Sequence, residues 1–340
     1  MISTTADGSF VSDNGKVLFF SCKRFVTDIC EGDCCFICGA KPSDKPFNKE
    51  HVLPEWLLRR YDLFDKRINL PNGSRFSYGQ YTIPCCVECN SLMAREIETP
   101  ISELIRRGSG AVYQYIEKHG TLKFYVWLGL IFLKTHLKDR DLRYHRDLRK
   151  EDGPISSLYT WENLHHLHAL VRCFYTGSFL SPGAIGSFLL IAARTDGSSD
   201  EFDFADLYHA QTLLLRIGDI AFVAVFDDSN GAASCLQPMM EILRPPLTQL
   251  QLREVMTEFS LANLRIKDRP KFYTTANPLT GFCAINVDRP DAVELEDLDY
   301  EMRGELMHFA IRDMLPNISY PNSTREEFEA EILTGRRTFL

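Results

Sequence analysis

Two pairs of cysteines at CxxC spacing are the residues in this chain of 340 amino acids that most clearly point to chemistry. They are Cys35 with Cys38 and Cys86 with Cys89. Each pair turns tightly enough for both sulfurs to face one ion, and four thiolates suit tetrahedral Zn²⁺. Because four protein ligands close the coordination sphere of such an ion, we predict a structural zinc site.

Neighbouring cysteines leave the choice of ligands open. Cys34 and Cys85 could replace Cys35 and Cys86 at CxxxC spacing, although the recurrence of CxxC on both sides favours the latter two. All six could instead be free reduced thiols. No secretory signal opens the chain, so thiols are expected rather than disulfides. The five scattered cysteines are expected to be small buried hydrophobic residues: Cys22, Cys30, Cys173, Cys235 and Cys283.

Three residues within this cysteine frame could take part in the hydrolysis of a phosphodiester. Glu50 offers an oxygen ligand of the kind that Mg²⁺ or Mn²⁺ accepts, and His51 can act as a general base near neutral pH. Asn90 offers an amide oxygen directly after Cys89. Hydrolysis requires a water to lose a proton while a cation takes up charge on the leaving oxygen. Taken alone, His51 could be a loop histidine and Asn90 a helix N-cap, but their order within the frame favours a catalytic site.

The pattern CxxC, Glu50-His51-Val-x-Pro54 and CxxC-Asn90 resembles that of the HNH endonucleases, which form the ββα-metal superfamily. The resemblance is to those members that contain a structural zinc. Phage Holliday-junction resolvases of that superfamily show a similar arrangement, with the metal-binding Asn directly after the last zinc Cys. The resemblance covers roughly residues 31 to 107.

The resemblance implies a first strand that carries Glu50 and His51, a second strand near 78–83 and a helix from Asn90. It also implies roles: His51 is the general base that activates water, and Glu50 and Asn90 are ligands of a single Mg²⁺ or Mn²⁺ ion. The predicted fold class of the whole chain is α+β. An N-terminal zinc-stapled ββα-metal (HNH) core is followed by helices and a C-terminal mixed α/β domain.

Two features depart from the family pattern. Asp is frequent in the family where Glu50 stands, and an extra helix is predicted over residues 55–62.

Glu98 lies eight residues after Asn90 and therefore on the same helical face. Its carboxylate is expected either close to the catalytic site or in a surface ion pair with Arg95 or with neighbours near Ser102.

The net charge of −8 hides an asymmetry between the halves of the chain. Residues 1–150 contain 23 basic and 18 acidic side chains, whereas residues 151–340 contain 15 and 28. Most of the positive excess lies in residues 101–150, with 11 basic and 5 acidic side chains. Cationic side chains neutralise phosphates, so the first half could bind nucleic acid; the alternative is a solvated helix face.

The order of these features predicts three domains. They are an HNH nuclease domain with the zinc site over residues 1–110, a basic helical segment over 111–150 and a C-terminal α+β domain over 155–340. Residues 151–154 are the predicted linker. In the last domain, apolar runs and turn residues predict strands over 187–194, 212–216, 220–226 and 281–287, and helices over 161–175, 247–266 and 298–315.

Two other polar clusters could bind a metal ion or another cation, but they are expected to be structural or to lie at the surface. The histidines at positions 165, 166 and 168 lie in an amphipathic helix without cysteines or carboxylates at ligand spacing. The acidic run over residues 294–301 is expected to begin the helix that follows it, where negative charge is favourable.

Together these features predict a metal-dependent endonuclease, a hydrolase that acts on DNA. The same chemistry would permit RNA, and a zinc-dependent nucleic-acid-binding module without catalysis is the alternative. The C-terminal half could regulate, form a homodimer or bind a protein partner, and the resemblance implies antiviral (anti-phage) defence as a role. The longest apolar run, over residues 124–133, is too short to span a membrane, so a cytoplasmic location is expected.

Overall fold

Helices and short strands alternate along the chain, so the predicted mixture of α and β structure is confirmed. A computed structural model describes residues 1–70, 72–73, 75–145, 147, 149–150, 153–195, 201–320 and 323–340. The predicted linker over 151–154 lies partly outside the described residues, which omit 151 and 152.

The elements below are those of the described residues. The strands are β1 (Ile2–Thr4), β2 (Phe10–Ser12), β3 (Val17–Phe19), β4 (Phe47–His51), β5 (Arg67–Asn69), β6 (Arg75–Ser77), β7 (Thr82–Cys86), β8 (Phe179–Leu180), β9 (Phe188–Ala192), β10 (Phe202–Leu207), β11 (Thr212–Ile217), β12 (Ile220–Val225), β13 (Lys271–Ala276) and β14 (Cys283–Asp288). The helices are α1 (Cys22–Arg24), α2 (Glu55–Arg60), α3 (Val87–Met93), α4 (Thr99–Arg106), α5 (Ser109–His119), α6 (Leu122–Asp139), α7 (His165–Val171), α8 (Cys173–Thr176), α9 (Gly231–Cys235), α10 (Gln237–Ile242), α11 (Gln249–Leu264), α12 (Tyr300–Ile311) and α13 (Arg325–Leu333).

The chain divides into two units. The first comprises residues 1–184 and 272–287, and the second comprises residues 185–271 and 288–340. The basic helical segment over 111–150 lies within the first unit. The division into functional domains over 1–110, 111–150 and 155–340 stays a prediction.

A strand–strand–helix unit carries the predicted site residues. Strands β4 and β7 pair antiparallel, with Glu50 opposite Ile83 and His51 opposite Thr82, and α3 follows β7 directly. The second strand predicted near 78–83 is misplaced, because residues 78–80 form a 3₁₀ turn and the strand runs on through Pro84. A two-stranded sheet has free edges, and there the missing N–H of a proline is tolerated.

The helix also begins earlier than predicted. Cys86 keeps an extended backbone and the next residue turns into α3, so Asn90 lies inside the helix rather than at its start. A π-helical turn over residues 94–98 joins α3 to α4. Pro100 has no N–H to offer to the carbonyl of Glu96, and Lys123 Nζ donates to that carbonyl at 3.2 Å instead. The helical path therefore continues through the proline.

Helix α6 is buried along almost its whole length and passes behind the two-stranded sheet. It carries polar groups into this packed environment: Asp139 accepts a hydrogen bond at 2.5 Å from the hydroxyl of Tyr81, which precedes β7. Of the helices in the described ranges, including α6, none combines the length and the apolar character that crossing a membrane requires.

The second unit is built on an antiparallel sheet in the order β10–β11–β12–β9, with the buried face of α11 packed against it. The strands predicted over 187–194, 212–216 and 220–226 and the helix predicted over 247–266 are confirmed as β9, β11, β12 and α11. Strand β10 was not predicted. It presents the carboxylate of Asp203 to the core, where the guanidinium of Arg253 binds it at 2.5 Å, and this buried ion pair breaks the apolar alternation.

The acidic run over 294–301 does begin a helix. The Asp299 carboxylate accepts hydrogen bonds from the N–H groups of Glu301 and Met302 at the start of α12, at 2.9 Å and 3.1 Å. An acidic N-cap satisfies amide groups that would otherwise have no partner.

Candidate metal centre

The four predicted cysteines converge on one point. The Sγ atoms of Cys35, Cys38, Cys86 and Cys89 all lie within 4.8 Å of one another, and three of the four side chains are buried. Tetrahedral zinc with Zn–S bonds of about 2.3 Å separates its sulfurs by about 3.8 Å, and the Sγ atoms of Cys38 and Cys86 are 3.7 Å apart. The cluster therefore fits a structural zinc ion, as predicted.

The first pair of ligands is held by a tight loop. The N–H of Cys35 donates to the carbonyl of Ala40, and the N–H of Gly39 donates to the carbonyl of Cys35, both at 2.8 Å. Gly39 has a φ of +76°, and a Cβ at this position would lie 2.5 Å from the ring of Phe20. Glycine is therefore required directly after Cys38 for the loop to close.

The structure separates the four ligands from their neighbours. Cys85 is buried with its Sγ 3.8 Å from the Sγ of Cys35, but it is not part of the group of four. Consecutive residues of a strand project to opposite faces, so Cys85 and Cys86 cannot both turn to the same ion. Cys85 is thus a fifth thiol beside the cluster.

His168 of α7 and Arg172, the residue directly after this helix, hold the loop that carries Cys35 and Cys38. His168 Nε2 donates to the carbonyl of Phe36 at 2.8 Å, and Arg172 Nε donates to the carbonyl of Ile37 at 2.5 Å. The buried Arg172 also donates to two carbonyls of β3. Burial lowers the pKa of His168, so the ring is neutral with its proton on Nε2.

The neighbouring histidines are structural in the same way. His165 Nε2 donates to the carbonyl of Phe20 at 2.8 Å, and His166 Nε2 donates to the carbonyl of Ala184 at 2.9 Å. Burial lowers the pKa of His166 to about 3, which keeps this ring neutral as well. The three rings therefore have structural partners, and the contact of His168 with the loop of the first two cysteines had no signal in the sequence.

Glu50 is buried and paired with a lysine that sequence reasoning did not single out. Lys134 Nζ, from α6, lies 2.7 Å from Glu50 Oε1 and donates to the main-chain carbonyl of His51 at 2.8 Å. An oxygen of a second carboxylate, Glu98 Oε1, lies 3.7 Å from Lys134 Nζ. Burial favours the neutral amine, but Glu50 and Glu98 outweigh it and raise the pKa of Lys134, so the amine is an ammonium.

Glu98 therefore faces inward, toward Glu50. The surface ion pair between Glu98 and Arg95 is wrong, since Arg95 pairs with Glu96 at 2.9 Å. Burial raises the pKa of Glu98 to about 7, an effect that the nearby ammonium of Lys134 partly offsets.

His51 is the last residue of β4 and is half-buried. Its ring lies edge-to-face with Phe64, with 6.0 Å between the ring centroids. Within the described part of the chain, the two nitrogens of this ring form no hydrogen bond. They are therefore free to bind a water molecule.

Asn90 reaches the same strand from α3. Its Nδ2 donates to Asn48 Oδ1 at 2.9 Å, and no described residue binds its Oδ1. Asn48 and Glu50 are two residues apart in β4, on one face and roughly 7 Å from each other along the strand. The structure thus brings Asn90 to the face that carries Glu50 but pairs it with Asn48, which the period-two pattern of the strand could have indicated.

Beyond the four cysteines, the described ranges contain no second cluster of three His, Cys, Asp or Glu side chains at metal-binding distance. No protein-family model matches this chain, and neither a curated protein nor a solved structure is detectably similar to it. The interpretation of the site therefore depends on its residues and geometry.

Cys85 and Cys86 provide a matched test of the zinc site. We expect the purified chain to contain about one zinc, Cys86→Ala to lose it because three thiolates remain, and Cys85→Ala to keep it. Elemental analysis by mass spectrometry after gentle purification measures the zinc content. A wild-type chain with much less than one zinc, or zinc lost from Cys85→Ala and kept by Cys86→Ala, would show that the ligand set is wrong.

Glu98 should make stability depend on pH. Its pKa lies at about 7 in the folded chain and near the usual 4.5 when unfolded, so the unfolded state ionises first as the pH rises. The stability that a protonated Glu98 permits is complete below pH 4.5 and is lost as the pH rises through 7. The free energy of unfolding of Glu98→Gln, compared with that of wild type, should therefore increase from pH 5 to pH 8. Urea unfolding at pH 5 and at pH 8 measures this increase, and Glu96→Gln, a change at an exposed residue, is the control. An equal difference at both values contradicts the assignment.

Proposed function

We propose that this chain is a metal-dependent endonuclease that hydrolyses phosphodiester bonds, with DNA as its substrate. The observation that carries the proposal is the strand–strand–helix unit. It holds Glu50 and His51 at the end of β4 and Asn90 in α3, and the four-cysteine cluster is built into the junction of β7 with that helix. The order of these elements supports the proposal, although β7 begins later and α3 begins earlier than the resemblance to HNH endonucleases implies.

His51 is assigned the role of general base. Its ring nitrogens have no partner among the described residues, and its half-exposed position suits a group that must meet a water molecule and a substrate. In the proposed step His51 accepts a proton from the water while the water oxygen forms a bond to phosphorus. The bond between phosphorus and the leaving oxygen breaks, and that oxygen takes a proton from solvent.

Glu50 and Asn90 are assigned as ligands of a divalent cation. Lys134 occupies Glu50 Oε1, but Oε2 has no hydrogen-bond partner among the described residues, and the same is true of Asn90 Oδ1. These two oxygens fit the ligand preference of Mg²⁺ or Mn²⁺. When bound, such a cation supplies charge stabilisation on the leaving oxygen. Glu50 and His51 are consecutive in β4 and project to opposite faces, so the proposal places the phosphate beyond the end of the strand, where His51 is the last residue.

Exposed basic side chains in residues 101–150 support a nucleic-acid substrate, although part of the positive excess of this segment is used in internal contacts. Lys134 is buried, and Arg140 donates to the carbonyls of Ile29 and Cys30. Among the described residues of 101–150, the exposed cationic side chains that could contact phosphates are Arg106, Arg107, Lys118, Arg143, Arg149 and Lys150.

One observation favours a second candidate, a zinc-dependent module that binds nucleic acid without cutting it. The ammonium of Lys134 already neutralises Glu50, which weakens the attraction of this carboxylate for a divalent cation. In that case zinc would hold a binding surface, and Glu50 would serve only to bury Lys134.

Supercoiled plasmid distinguishes the two candidates. We expect the wild-type chain to nick or cut plasmid with added Mg²⁺ or Mn²⁺, and His51→Ala to lose about 10²- to 10⁴-fold in rate because the general base is removed. His119→Ala, an exposed histidine on α5, is the matched control and should cut as well as wild type. Zinc content should be unchanged in both variants.

The outcome that contradicts the catalytic assignment is a His51→Ala variant that cuts at the wild-type rate. Plasmid that is bound in a gel-shift assay but never cut would support the binding module instead. RNA and DNA of the same sequence, offered side by side, decide which polymer is the substrate.

A further inference from the structure

The buried ammonium of Lys134 is a charged group for which the proposed reaction has no use. Only 1% of its side chain is exposed, and it lies between two carboxylates, 2.7 Å from Glu50 Oε1 and 3.7 Å from Glu98 Oε1. A third contact, at 2.8 Å to the carbonyl of His51, fixes its position at the end of β4. All residues of α6 from Phe124 to Leu137 are buried, so the lysine lies in a part of the helix that has no exposed face.

Two carboxylates that share a buried position repel each other unless a proton or a cation lies between them. Many phosphodiesterases satisfy this requirement with a pair of divalent cations about 3.5–4 Å apart, which clamp the attacking and leaving oxygens. In this chain one oxygen of Glu50 already binds a cation, the ammonium, and the other oxygen has no partner among the described residues. Glu50 is thus placed to bridge an ammonium and one metal ion, where a two-metal site would have it bridge two metals.

We propose that Lys134 determines the metal stoichiometry of the site: its ammonium fills the position between Glu50 and Glu98 that a second divalent cation would otherwise take. The identity of the first cation rests on the proposed function, but the exclusion of the second follows from the position of Lys134. The chain is therefore limited to one-metal chemistry by a side chain on a scaffold helix.

Titration with Mn²⁺ tests this without any nucleic acid. The zinc-loaded full-length chain is titrated with Mn²⁺, and free Mn²⁺ is measured by electron paramagnetic resonance. We expect Lys134→Ala to bind one Mn²⁺ more per chain than wild type, because the two carboxylates lose their built-in cation. Lys134→Arg keeps the charge and should bind the same number as wild type.

Two further variants serve as controls. Lys138→Ala removes a lysine one turn further along α6 that does not contact Glu50 or Glu98, and it should leave the number of Mn²⁺ ions unchanged. The double variant Lys134→Ala with Glu98→Gln removes one of the two carboxylates, so the additional ion should be lost again.

The possible results separate this inference from the proposed function. If Lys134→Ala binds no more Mn²⁺ than wild type, the inference is overturned and the proposed nuclease is unaffected. If wild type binds no Mn²⁺ and Lys134→Ala binds one that the added Glu98→Gln change removes, the inference holds and the catalytic ligand set of Glu50 and Asn90 fails. If the double variant keeps that ion, the inference is overturned. If Lys134→Ala unfolds without metal, Mn²⁺ should restore the fold, as followed by circular dichroism. A chain that stays unfolded in excess Mn²⁺ also overturns the inference.

Discussion

The convergence of four cysteine sulfurs is the constraint on which the architecture of the site depends. A two-stranded sheet is marginally stable by itself in water, and β4 and β7 form such a sheet. The cluster joins the loop that precedes β4 to the junction of β7 with α3. A zinc ion at this position would replace much of the hydrophobic core that so short a unit lacks, because the binding free energy of a structural metal is also folding free energy.

Helix α6 supplies the second support, and it does so with polar rather than apolar contacts. Its Lys134 binds the end of β4, and its Asp139 binds the tyrosine that precedes β7. A buried polar group without a partner is costly, so each of these contacts fixes the strand ends to the helix. Precision at the strand ends matters because Glu50 and His51 are located there. The opposite side of the cluster is held by His168 and Arg172, which bind the carbonyls between the first two cysteines.

Local sequence patterns predicted much of this arrangement. They could not predict contacts between residues that are far apart in the sequence. The CxxC spacing identified all four members of the cluster, since tight ligand pairs leave a signature within four residues. The apolar runs of β11 and β12 likewise predicted strands from residues that are close in the sequence. The contact between Lys134 and Glu50 joins residues 84 positions apart, and a lysine at the end of an apolar run gives no sign of its partner. Pro84 concealed β7, because a proline within a strand is tolerated only when the tertiary structure leaves that edge free.

The central claim is that a zinc frame places Glu50, His51 and Asn90 around one divalent cation. Anomalous diffraction at the zinc and manganese edges, from one crystal grown with Mn²⁺, tests it most directly. We expect a zinc peak among Cys35, Cys38, Cys86 and Cys89, and a single manganese peak at bonding distance, about 2.2 Å, from oxygens of Glu50 and Asn90. Zinc without any manganese at these two side chains, or manganese bound elsewhere, would contradict it.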